Sequence, residues 1–379
     1  MKTLHLLIAL ATPVLLLASA AVYSQQSAST PTWPAPEEGD YVVHNFRFQS
    51  GETMPAVRMH YTTLGKPVKD PSGRTNNAVL MLHGTGGWGS SFLIPSFAGV
   101  LFGPGQLLDA SKYYIILPDN VGHGKSSRPS DGMHAHFPQY DYADMVALQH
   151  ELVEKGLGLN HLRLILGTSM GCMHSWMWGE EYPDEMDALM PMACLPVQIA
   201  GRNRVWRKMV IDGIRQDPEW KNGDYTTEPR AGLQIAVDFL LLAARAPLPL
   251  QRDLPTRDAA DKYLESFMKR VTADLDANDF LYAINSSRSY NPSPKLDTIK
   301  ASVRLVNSAD DFINPPELSI AEREIKKVNK GKFVLIPISE QTIGHGTFIQ
   351  AAIWQSRSQS GTDERSHSLC LRMTRSFRG

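Results

Sequence analysis

Gly167-Thr-Ser169-Met-Gly171 sets a serine between two glycines, directly after the apolar run Leu162–Leu166 and directly before the helix-compatible stretch Cys172–Glu181. A strand–turn–helix junction of this kind is so sharp that only residues without side chains fit on either side of the serine. It holds the Ser169 hydroxyl at the end of a strand and aims the Met170 N–H, at the start of the next helix, at a developing oxyanion. A hydroxyl is a weak nucleophile until a base takes its proton, and a carboxylate must orient that base. Both groups lie downstream, each just past an apolar run. Val303–Val306 opens into Asn307-Ser-Ala-Asp310-Asp311-Phe-Ile-Asn-Pro315, and Phe333–Ile338 leads to Thr342-Ile-Gly-His345-Gly346. His345 is the expected base. Between Ser169 and the tail the other histidine is His174, one turn into the helix and expected to face away. Asp310 and Asp311 compete for the acid position, since adjacent residues cannot both face the ring. A second oxyanion donor is expected from the loop after an earlier strand, Leu82-His83-Gly84-Thr85-Gly86-Gly87: Thr85 first, Gly86 next, with His83 bracing the loop. This chemistry requires no metal and no organic cofactor.

The elements that must position these groups follow from the apolar pattern. Tyr41–Leu64 reads as an antiparallel hairpin around Ser50-Gly51. Ala78–Leu82, Tyr113–Leu117, Leu162–Leu166, Leu189–Ala193, Val303–Val306 and Phe333–Ile338 read as buried strands, with helical stretches such as Tyr142–Lys155 between them. That alternation predicts an α/β protein with a mostly parallel sheet covered by helices on both faces. About a hundred residues between the fourth and fifth of these runs break the rhythm, with helical patterns over Arg230–Ala246 and Asp258–Leu275. They predict a helical lid, about residues 196–299, inserted between late strands.

Other motifs carry less. Gly84-x-Gly86-x-x-Gly89 spells a dinucleotide fingerprint and Asp119 ends the next strand, but the third glycine must lead into a helix, and Pro95, Gly99, Gly103, Pro104 and Gly105 oppose one. Gly124-Lys125-Ser126 lacks the partner glycine of a phosphate loop, because Asp119 stands there. His134 and His136 have no third ligand in sight and read as solvated loop residues.

Composition narrows the partners. With 38 Lys and Arg against 39 Asp and Glu, the net charge is −1 and no field draws the chain to nucleic acid. A small-molecule acyl ester, or an acyl donor with an alcohol acceptor, is the expected partner. Lys2, the apolar run Leu4–Leu17 broken by Pro13, and Ala18-Ser19-Ala20 read as a signal peptide over residues 1–20, too short to span a bilayer. Residues 21–40 read as a linker, 41–354 as the catalytic domain and 355–379 as a disordered, Ser- and Arg-rich tail. The expected location is secreted or periplasmic, with no stable membrane insertion after cleavage. Cys172, Cys194 and Cys370 match no zinc pattern and read as isolated small residues rather than a disulfide framework.

Asp119-Asn-Val-Gly-His-Gly-Lys-Ser126 is similar to the D-x-x-G-x-G-x-S stretch of α/β hydrolases. More narrowly, the elbow helix Gly167–Asp184, Ile199-Ala-Gly-Arg-Asn203 leading to Arg207, Asp217-Pro-Glu-Trp220 and Gly223-Asp-Tyr225 resemble the homoserine O-acetyltransferase family. The resemblance runs from about Tyr41 to Trp354. It implies the α/β-hydrolase fold, and a serine that takes an acyl group from acyl-CoA and passes it to a hydroxyl. It favours Asp311 as the acid, because in many α/β hydrolases that residue stands four before a proline, here Pro315. It assigns Arg207 to a substrate carboxylate. Two positions depart from the family: Gly346 stands where it carries an aspartate after the histidine, and Cys172 replaces its second elbow glycine. The expected function is therefore an acyl-ester hydrolase or acyltransferase working through an acyl-enzyme. Homoserine O-acetyltransferase and a catalytically silent binding module are the alternatives.

Overall fold

A computed structural model describes residues 33–273 and 275–357. Eight strands form one sheet: β1 (Glu37–Arg47), β2 (Thr53–Leu64), β3 (Ala78–Leu82), β4 (Tyr114–Pro118), β5 (Leu164–Thr168), β6 (Ala188–Met192), β7 (Ser302–Ser308) and β8 (Gly331–Ile336). Their order is β1-β2-β4-β3-β5-β6-β7-β8. β1 and β2 pair antiparallel around the Ser50-Gly51 turn, β2 meets β4 antiparallel, and every later pair is parallel. β1 begins at Glu37, so the last four residues of the stretch expected as linker belong to the sheet. Residues 1–20, the rest of that linker up to residue 32 and the tail from 358 lie outside the described residues, while Gln355–Arg357, expected in the disordered tail, end a helix.

The central strands are short and apolar because both faces are covered. Leu80 and Leu82 of β3 face one buried layer, with Ile116 and Ile165, while Val79 and Met81 face the other, with Ile115, Leu117 and Leu166. This period of two puts the side chains of every inner strand into two cores. The crossovers are α1 (Ala98–Leu101), α2 (Tyr142–Glu151), extended by a π turn over Leu152–Gly156, and α3 (Met170–Glu181). Asp141 caps α2, its side chain accepting from the Ala143 and Asp144 amides. The crossover after β3 holds only the four-residue α1, as the glycines and prolines there require.

Between β6 and β7 comes a helical insertion: α4 (Gly201–Gln216), α5 (Arg230–Ala244), α6 (Pro247–Asp253), α7 (Arg257–Val271) and α8 (Ala277–Asn285). The helix expected to run to Ala246 stops at Ala244, and Pro247 starts a new helix bent by 104° from it. A proline inside a helix would remove a donor and clash with the preceding turn, whereas at the first turn it costs neither. Among the described residues no single helix is long and apolar enough to cross a membrane. α9 (Ile320–Glu324) precedes β8, and α10 (Ala351–Arg357) packs Trp354 into the second core.

Candidate active site

Ser169 sits between β5 and α3 with φ +53° and ψ −107°, a conformation L residues avoid. The flanking glycines are obligatory. A Cβ on Gly167 would lie 2.0 Å from the Gly171 carbonyl oxygen, and one on Gly171 would lie 2.0 Å from that of Leu82. Two backbone bonds pin the turn: the Ser169 amide donates to Met192 O at 2.9 Å, and the Gly171 amide donates to His83 O at 3.0 Å. The serine turn is thus tied to β6 on one side and to the loop after β3 on the other.

The loops after β7 and β8 bring their groups to the same point. His345 Nε2 lies 2.8 Å from Ser169 Oγ, and His345 Nδ1 lies 2.9 Å from Asp311 Oδ2. Asp311 is buried, and its other oxygen accepts from the Ile313 and Asn314 amides at 2.8 and 3.1 Å. Burial alone would raise its pKa, but the adjacent His345 and the bonds from Asn314 outweigh that and hold the carboxyl below its ordinary value. Asp310 faces elsewhere: it accepts from Ser308 and from the Gly344 amide, the latter at 3.0 Å. The two adjacent carboxylates therefore divide the work, Asp311 on the ring and Asp310 on the backbone that carries it.

On the opposite side the Gly84 loop touches the serine, and a Cβ on Gly84 would come within 3.3 Å of Ser169 Cβ. Neither the Thr85 amide nor the Met170 amide donates to a protein acceptor among the described residues. His83 sets the first of these peptides. Its Nδ1 lies 2.8 Å from Gly84 O, while the Asn120 backbone amide donates to its Nε2. That arrangement fits the neutral ring, which burial enforces by lowering the pKa to about 4. His123 adds a second brace, with Nε2 3.1 Å from Thr85 O. His174 lies away from the triad, buried edge-on against Tyr142 with its Nδ1 3.1 Å from Gln149 Nε2.

Residues of the motifs set aside above have partners within the fold. Gly89 opens a short 3-10 turn rather than a helix, and its amide donates to Asp119 Oδ1 at 2.7 Å. The other Asp119 oxygen accepts from the Lys125 amide at 2.8 Å, closing its own loop. His136 faces Asp224 at 3.7 Å and His134 packs on Tyr225. Among the described residues no cluster of three or more His, Cys, Asp or Glu side chains could hold a metal.

The expectation of isolated cysteines is corrected. Cys172, in the first turn of α3, forms a disulfide with Cys194 just past β6, with Cα atoms 5.9 Å apart. The parallel pairing of β5 with β6 brings the two segments together, and no sequence spacing announces it. Asn314 was also missed: its side chain donates to both Asp311 and Ala193 O, linking the acid to the end of β6.

A cavity of about 1100 Å3 opens over Ser169 and His345, walled by the Gly84 loop, the Asp310–Leu318 loop and helices α4, α5 and α6 of the insertion. Arg207 of α4 reaches it largely buried, held by neutral groups: Nε donates to Asn203 Oδ1 at 3.0 Å, and Nη1 donates to Ser287 Oγ at 3.0 Å and Ile284 O at 3.3 Å. Its charge faces no carboxylate of the protein among the described residues.

Such a sheet, with a serine elbow after β5 and an acid and a histidine after β7 and β8, defines an α/β-hydrolase-fold enzyme. The chain belongs to the α/β-hydrolase fold family, whose model matches residues 77–340. Within it the chain groups with homoserine O-acetyltransferase-like proteins. It is 30% identical over 282 residues to a probable acyltransferase of Methanothermobacter thermautotrophicus, covering 73% of this chain and 84% of the relative. It is 26% identical over 351 residues to homoserine O-acetyltransferase of Clavibacter michiganensis, covering 79% and 86%. Homoserine O-acetyltransferase from Bacillus anthracis superposes with a TM-score of 0.73 at 20% identity, covering 85% of this chain and 96% of that one. An acetylester hydrolase from Corynebacterium glutamicum does so with 0.73 at 18%, covering 84% and 93%. These two likenesses concern the fold.

Proposed function

We propose that the protein is a serine-nucleophile acyl-ester hydrolase or acyltransferase that works through an acyl-enzyme. The observation that carries this is the hydrogen-bonded chain Ser169–His345–Asp311 at a strained elbow. Ser169 Oγ attacks the carbonyl carbon as His345 Nε2 takes its proton, and Asp311 keeps Nδ1–H as the donor and stabilises the imidazolium. The Met170 and Thr85 amides receive the oxyanion. Collapse expels the alcohol, or the thiol of a thioester, which leaves with the proton from His345. Water or an acceptor alcohol, activated by the same ring, then releases the acyl group.

Arg207 supports a reading in which the acceptor carries a carboxylate, since a buried guanidinium with only neutral partners is suited to bidentate binding. Gly346 supplies no acid for an amine, which weighs for ester hydrolysis or a different alcohol over homoserine. The insertion serves as the lid that shapes this cavity. The Cys172–Cys194 disulfide and the Leu4–Leu17 run support a secreted or periplasmic setting, because disulfides persist in oxidising compartments. Two free thiols at these positions in protein trapped from its host would count against it.

The deciding experiment follows p-nitrophenyl acetate cleavage, and CoA release from acetyl-CoA with and without homoserine, in wild type and Ser169→Ala. The variant is expected to fold and to lose activity by several orders of magnitude. Full activity in Ser169→Ala overturns the proposal. Homoserine-dependent CoA release selects transfer, and ester cleavage without it selects hydrolysis.

A further inference from the structure

The cavity over Ser169 exceeds the ~300–1,000 Å3 range usual for small-molecule sites, and an acetyl group would fill a small part of it. Its walls differ in chemistry. Near α8 lie Arg207 and Asn203, the polar end. On the histidine side the wall is apolar, built from Phe239, Leu240, Ala244, Leu248, Ile338 and Phe348. That side is fixed by packing. The α5–α6 junction presses on the histidine loop, where a Cβ on Gly344 would come within 2.8 Å of the Ala246 amide nitrogen, and Arg252 Nη1 donates to Glu340 O at 2.9 Å. Phe348 stands edge-on to the His345 ring at 5.7 Å between centroids.

The charged side chains lining the cavity are Arg202, Arg207, Asp310, Asp311 and Glu317, with His345, and three of them are committed. Asp310 and Asp311 serve the histidine and its loop, and the Arg202 guanidinium lies over Trp206 and Phe312. At the mouth Leu248, Leu318 and Ile338 are more than half exposed, so the apolar wall continues outward to solvent. A two-carbon acyl group with a small polar acceptor would leave most of this surface wet.

We propose that the substrate carries an extended apolar chain, of about six carbons or more, on one side of its ester carbonyl, lying along the Phe239–Leu248 wall. The inference rests on the serine-nucleophile reading above and specifies its substrate class. Each methylene that leaves water for such a wall raises kcat/KM by up to about fourfold. The chain belongs to the acyl group or to the alcohol, and two substrate series separate these sources.

The test measures kcat/KM of the full chain on p-nitrophenyl esters from acetate to decanoate, and on acetates of alcohols from ethanol to decanol. One series is expected to rise two- to fourfold per methylene to about eight carbons. Ala244→Phe, which narrows the wall at a half-buried position, is expected to lower the ratio of eight-carbon to two-carbon kcat/KM at least tenfold. Fluorophosphonate labelling of Ser169 reports in parallel whether the nucleophile is intact. Highest activity on the two-carbon ester in both series, with Ser169 labelled, overturns the inference and leaves the serine chemistry standing. Absence of turnover on every ester, with Ser169 unlabelled, overturns both.

Discussion

At the scale of single residues, two adjacent aspartates of the same charge do different things because neighbouring side chains leave the backbone in different directions. Asp311 accepts from His345 and three donors of its own loop, so its carboxylate is held ionised beside the ring, where the proposed mechanism needs it. Asp310 binds the Gly344 amide and so positions the histidine through its backbone. Asp311→Asn is therefore expected to lower kcat by about 10³- to 10⁴-fold, since an amide at that place favours the wrong tautomer. Asp310→Asn keeps the ring's partner and should cost about tenfold or less, through a looser loop. Stopped-assay kcat for both variants, with matching circular dichroism, checks this. Comparable losses would mean that Asp310 also shapes the charge at the ring. The same logic covers the Gly84–Thr85 peptide, whose carbonyl is held by a neutral His83.

At the scale of elements, the site is where the segments after β3, β5, β6, β7 and β8 converge at the sheet's carboxyl edge, and the disulfide ties the second to the third. Cys172 belongs to the helix after Ser169 and Cys194 lies just past β6, where the Ala193 carbonyl accepts from Asn314 of the Asp311 loop. Closing a 22-residue separation is worth about 3 kcal/mol in the chain-entropy account. Reductant is expected to lower the unfolding free energy of the wild type by that amount, read as a fall in the urea midpoint, and to leave Cys172→Ala/Cys194→Ala unmoved. Equal midpoints with and without reductant would show that the bridge does not stabilise the fold. The elbow was legible in sequence because steric exclusion demands glycine at two fixed positions, and the buried strands because each is a short apolar run. His345 followed by elimination. The acid pair stayed open on the residues alone, since a one-residue shift reverses a side chain's direction without changing the pattern. The disulfide, Asn314 and the bracing roles of His83 and His123 were not legible, because they depend on which strands lie side by side and how single peptides are turned. The helix expected over Arg230–Ala246 ends two residues earlier, at Ala244, because a proline at 247 disfavours the helical conformation in the residue before it.

At the scale of the whole molecule, burial has set two groups of titrating residues against each other. Burial pushes His83 to about 4, His123 to about 3 and His174 well below its ordinary value, so all three are neutral in the fold and protonate near 6.5 on unfolding. Depressed bases contribute stability above pH 6.5 that is lost as pH falls through their folded values. Burial also raises Glu180, at the end of α3, to about 8, and one of its carboxyl oxygens has no partner. A raised acid contributes stability below 4.5 that is lost as pH rises to about 8. Asp144 and Asp279, each raised to about 6 by burial, act in the same direction over a lower window. Below 4.5 the histidines dominate and stability falls with acid; above 6.5 Glu180 continues to titrate and stability falls with base. Maximal stability should then lie between pH 4.5 and 6.5. Glu180→Gln, which keeps the shape and removes the charge, is expected to raise the melting temperature at pH 9 while leaving it near the wild-type value at pH 4.5. Thermal unfolding of both proteins from pH 4 to 9 measures this. A constant offset across the whole range would show that the substitution acts through packing, and that Glu180 is not held protonated by the fold.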